Sequence, residues 1–159
     1  FVDLDALRAA VADELAAELQ KRVAVYRSRT RDPFTKIAVG CLNYIERARS
    51  EPAWGALAAR GIWAFPTVAR EARLRLTEDL EAAAAARPES GIKIEVAFDI
   101  ILGSVMQAMR SASEGRLTKS DVLLVVAGLM RALGLGAAEA DTVLAAAREL
   151  LAQPLEASA

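Results

Sequence analysis

KSDVLLVVAGLMRALG, residues 119–134, is the stretch on which the fold turns. From Val122 to Met130 it carries nine consecutive residues without a polar side chain. A bilayer-spanning helix needs about 20, so this run does not cross a membrane. Wound at about 3.6 residues per turn, it presents apolar side chains in every direction. A helix apolar on all sides has to be covered on all sides. Gly134 and Gly136 supply its stop. The rest of the chain must therefore bring further helices to it, and one small core covers only part of it.

Outward from this run the pattern stays helical. Upstream, Ile92 to Ala112 has two apolar faces. Ile94, Ala97, Phe98, Ile101, Val105 and Met109 share one of them at spacings of three and four. Ile92, Val96, Ile100, Gly103 and Met106 fall on the other, mixed with Asp99 and Gln107. Before it, a polar, Arg-rich helix runs from Pro66 through Leu74, Leu76 and Leu80 into the alanine run 82–86, and a loop follows over Pro88 to Gly91. The apolar link Ile62-Trp63-Ala64-Phe65 lies between Gly61 and Pro66, behind a short helix with Trp54 and Leu57. Asp32-Pro33 reads as a helix cap followed by proline in the first turn. The stripe Phe34, Ile37, Cys41, Tyr44, Ile45 and Ala48 runs behind it until Ser50-Glu51-Pro52 breaks it. The first helix starts at Asp3, carries Leu4, Leu7, Val11, Leu15 and Leu19, and fades near Tyr26. An Ala-rich last helix ends near Leu151. The expectation is an all-α chain of six to seven helices, without strands.

Composition narrows the chemistry. The 159 residues are 54% hydrophobic and 26% charged, with a net charge of −1. A free-standing nucleic-acid binder is strongly basic, and this chain is not. Histidine is absent. That removes Ser-His-Asp and Cys-His catalysis and His-ligated metal sites. Glu95 and Asp99 are one turn apart and read most simply as a polar strip, so no enzyme, cofactor or metal is expected. One cysteine, Cys41, cannot form an internal disulfide, and no signal peptide is visible, so a reducing cytoplasm is the expected setting.

Three stretches resemble the TetR family of transcriptional regulators. Phe1-Val2-Asp3-Leu4-Asp5-Ala6-Leu7, followed by Val11, resembles the exit from that family's recognition helix into its connecting helix. Asp32-Pro33 to Glu51-Pro52 resembles its first core helix and the break behind it. Ile101-Leu102-Gly103-Ser104-Val105-Met106 and Met130-Arg131-Ala132-Leu133-Gly134-Leu135 resemble its dimer helices. In order, they cover nearly the whole chain. The helix-turn-helix is missing, and since Phe1 is not an initiator methionine the natural protein is expected to begin upstream.

The resemblance implies a connecting helix over 1–31 and a ligand-binding and dimerisation domain over 32–159. It implies a homodimer, contact with operator DNA through the missing heads, and a small, mainly apolar effector. It brings Ile37, Cys41, Tyr44, Trp63, Phe65, Phe98, Leu102 and Met106 together around a cavity, with Tyr44 and Trp63 as polar handles. Burial gives the dimer surface: Val96, Ile100, Gly103 and Gln107 of one helix, with Val122, Val126 and Leu129 of the next, in a four-helix bundle between two copies. Gly103 and Gly128 would let the partner backbone approach. The acid-free segment Lys21 to Arg31 reads as solvated surface rather than a phosphate contact. A helical protein-interaction module without a small ligand explains the apolar helix equally well.

Overall fold

The computed structural model describes residues 4–61 and 66–155. Trp63 and Phe65 lie outside the described residues. Among these residues the chain is seven α-helices and a single 3-10 turn, with no strand. The helices are α1 (Leu4–Ser28), α2 (Pro33–Ser50), α3 (Pro52–Gly61), α4 (Pro66–Ala86), α5 (Ile94–Ser113), α6 (Lys119–Ala132) and α7 (Ala137–Ala152). The all-α expectation and its break points hold.

Local chemistry sets these boundaries. Asp32 accepts a hydrogen bond from the Thr35 amide at 2.7 Å, closing the first turn of α2 ahead of Pro33. Thr118 and Asp121 form a reciprocal capping box at the start of α6. At its end Gly134 takes φ +88°, and the amides of Leu135 and Gly134 bond back to the carbonyls of Met130 and Arg131. This left-handed stop suits glycine, and a Cβ there would also meet Ser90 Cβ at 3.0 Å.

α2 is the central element. It contacts all six other helices, and Ile37, Ala38, Val39, Leu42, Ile45 and Ala48 are buried along it. Truncating one such large side chain to alanine costs about 2–5 kcal/mol. α3 crosses α2 so closely that a Cβ on Gly55 would stand 2.7 Å from Ala48 Cβ. Arg47 of α2 lies over the Trp54 ring at 5.5 Å, a cation–π contact that clips the same crossing. Val23 and Tyr26 of α1 join the common core. Leu7 and Val11, farther up the same helix, are exposed.

The surface of α6 differs from the expectation. α6 packs on α2, α5 and α7 of its own chain. Val122, Val126 and Leu129 are buried there, the first two completely, so they present no surface to a partner. Periodicity shows that such a helix needs cover on most sides but not which neighbour supplies it. The side left open carries Leu124, 70% exposed, with Gly128 one turn on. On α5, Val96, Ile100, Gly103 and Gln107 are all exposed, and a Cβ on Gly103 would meet nothing within 4 Å. No helix among the described residues is long and apolar enough to cross a membrane.

Candidate ligand cavity

Four helices leave a space between them. α2 turns Lys36, Ile37, Gly40, Cys41 and Tyr44 to it, at steps of one, three and four. α5 contributes Phe98, Ile101, Leu102, Val105, Met106 and Met109, again one helical face. α1 adds Gln20, Val23 and Arg27, and α4 adds Arg70, Ala72, Arg73, Arg75, Leu76 and Asp79. The cavity is about 340 Å³, within the range of small-molecule sites, about 300–1,000 Å³. Its α2 and α5 walls are mainly apolar, and Met106 and Met109 can adapt to an irregular occupant.

Gly40 explains part of the space. A glycine inside a helix costs about 1 kcal/mol relative to alanine. Here nothing lies within 4 Å of where its Cβ would be. The missing side chain widens the cavity in the middle of the α2 wall.

Six of the eight expected ligand contacts line this space: Ile37, Cys41, Tyr44, Phe98, Leu102 and Met106. Phe34, on the same stripe, is buried in the core and does not line it. Burial pushes the Cys41 thiol up to about 12, so it behaves as a neutral apolar group, not a nucleophile. Burial likewise raises the Tyr44 phenol to about 12, against a hydrogen bond with Gln20 and the fields of Arg75 and Arg27. Tyr44 therefore keeps its proton at neutral pH and can still serve as a polar handle.

The polar wall was not foreseen. Arg27 belongs to the segment read as solvated surface, yet its side chain turns inward and meets Asp79 at 2.5 Å. The same guanidinium reaches the Arg75 carbonyl at 3.5 Å, and Arg75 reaches back to the Gln20 carbonyl at 3.3 Å. These contacts tie α1 to α4. Burial raises the Asp79 carboxyl above its ordinary value, and Arg27 opposes that shift. Arg73 lies over the Phe98 ring at 4.6 Å. No spacing in the sequence marks this wall: at about 100° per residue Arg70, Arg73 and Arg75 point in different directions around α4. Asp99 is exposed, away from this wall. Among the described residues no group of His, Cys, Asp or Glu side chains is placed to hold a metal ion.

Compared with known proteins, the chain matches no family model, no curated protein and no solved structure.

Proposed function

We propose that this chain binds a small, mainly apolar effector and acts as the sensing and dimerising part of a TetR-type transcriptional regulator in the cytoplasm. The observation that carries the reading is the cavity of about 340 Å³ enclosed by α1, α2, α4 and α5. Its apolar walls with a few polar groups are what a small-molecule site requires. The regulator part rests on the resemblance at Phe1 to Val11, Asp32 to Pro52 and Ile101 to Leu135.

In this reading α1 couples the cavity to the DNA-reading heads. Val23 and Arg27 face the cavity while the same helix runs back to Leu4. The exposed Leu7 and Val11 offer an apolar strip on which an upstream segment would pack. An effector that prefers one setting of α1 shifts the population toward it, and operator affinity falls if that setting misplaces the heads. Two copies pair through the outer strip of α5, with Val96 54% and Ile100 42% exposed, together with Leu124 of α6. An obligate interface commonly buries about 2,000 Å² or more.

The second reading, a helical interaction module, rests on the same exposed strip. A gel-shift assay separates the two. The gene product including the sequence upstream of Phe1 is expected to bind operator DNA selectively, and residues 1–159 alone are not. Selective, tight binding by residues 1–159, or an upstream sequence with no basic three-helix segment, would defeat the regulator reading.

A further inference from the structure

We infer that the cavity takes an amphipathic anion, with a medium-length apolar tail held between α2 and α5 and an acidic head at the mouth near Arg70 and Arg73. The inference rests on the small-molecule reading of the cavity and names the class of molecule.

Charge at the wall gives the sign. Five cationic side chains line the cavity, Arg27, Lys36, Arg70, Arg73 and Arg75, against one carboxylate, Asp79. Asp79 is already engaged by Arg27. Arg75 is 3.8 Å from Glu71 and bonded to the Gln20 carbonyl. Lys36, Arg70 and Arg73 have no ion pair within 4.0 Å among the described residues, although the Lys36 charge acts on Asp79, and Arg73 lies over the Phe98 ring. Arg70 and Arg73 are exposed as well as cavity-lining, so they stand where the cavity opens to water. A guanidinium without a carboxylate partner has a planar set of N–H donors to offer, and such forks suit carboxylate, sulfate and phosphate groups. An ammonium head would meet repulsion from the whole set. A neutral head could accept one hydrogen bond from a guanidinium but would forgo the ion pair and the bidentate fork.

Size gives the tail. Liquid water takes about 30 Å³ per molecule, and a methylene is of similar size, so the cavity holds roughly ten such groups. Phe98 has the arginine on its ring, while Met106 and Met109 lie two and three turns farther along α5. The apolar wall thus runs on from the charged mouth.

The test compares three ligands with the same ten-carbon tail, decanoate, decanol and decyltrimethylammonium, by calorimetric titration of the whole chain. Decanoate is expected to bind about tenfold or more tighter than decanol, the size of effect a charge-assisted pair supplies. The cation is expected to bind least. Arg70→Gln with Arg73→Gln should remove most of the advantage of decanoate over decanol. Both positions are exposed, and an unchanged thermal midpoint would show that the fold is intact. Gly40→Leu should abolish binding of all three by filling the cavity. If decanol or the cation binds as tightly as decanoate and Gly40→Leu blocks it, the cavity reading stands and the anion is wrong. If the double variant keeps the preference for decanoate, Arg70 and Arg73 are not the head site. If none of the three binds, or Gly40→Leu leaves binding intact, the cavity is not the site and both readings fall.

Discussion

Replacing Val126 with aspartate is expected to leave a chain with no cooperative thermal transition. Val126 is completely buried on α6, against helices of its own chain. An aspartate there would be a carboxylate without a partner among apolar side chains. A buried uncompensated charge costs about 3–5 kcal/mol, before the lost packing of the valine is counted. Total stability of an ordinary domain is about 5–15 kcal/mol, so the loss is close to the whole. Gly103→Arg should behave differently. Gly103 is exposed on α5 with open space around it, and arginine is the better helix former. That variant is expected to keep its thermal transition and to sediment as a monomer while the unmutated chain sediments as a dimer. Circular dichroism melting and analytical ultracentrifugation check both. A folded Val126→Asp chain that has merely become monomeric would return α6 to the interface. A Gly103→Arg chain that stays dimeric would remove α5 from it.

Removing Arg27 is the second large change. Its side chain is 14% exposed and that of Asp79 9%. Arg27→Ala leaves the largely buried Asp79 carboxylate without its ion-pair partner and with only the weaker field of Lys36, and should cost about 3 kcal/mol. For a chain of this length that lowers the thermal midpoint by roughly 10 °C. The double change Arg27→Leu with Asp79→Leu should recover most of the loss. The pair is costly to desolvate, and Arg27 Nε is buried without a hydrogen-bond partner, so well-packed leucines can substitute for it. Urea unfolding of the two variants and the unmutated chain would show this. Equal losses in the single and double variants would mean that Arg27 acts through something other than Asp79.

Much of this was legible in the residues. Asp32-Pro33, Pro52, Pro66, Gly115 and Gly134 mark ends that local backbone chemistry decides, and the helices begin or stop beside them. The apolar wall was legible in part: Ile37, Cys41 and Tyr44 share one stripe of α2, and Phe98 lies on one face of α5. Periodicity put Met106 on the opposite face of α5, and only the resemblance brought Leu102 and Met106 to the cavity. Pairing between helices was harder to read. Val122, Val126 and Leu129 look the same whether their cover comes from α2 and α7 or from a second copy, since periodicity records burial and not its source. Arg27, Arg70 and Arg73 were harder still. A cation at the edge of a cavity has the same sequence signature as one on a solvated face, and only the crossing of α1, α4 and α5 distinguishes them.

The most direct measurement is a methyl NMR titration of the chain with decanoate. Binding in the cavity predicts saturable shifts at the methyls of Ile37, Ile101, Met106 and Met109, all of which line it, and none at Leu144 on α7, which does not. In Gly40→Leu these shifts should vanish while the rest of the spectrum keeps its dispersion. Shifts confined to the exposed Val96, Ile100 and Leu124, or no saturable shifts at all, would contradict a ligand cavity between α1, α2, α4 and α5.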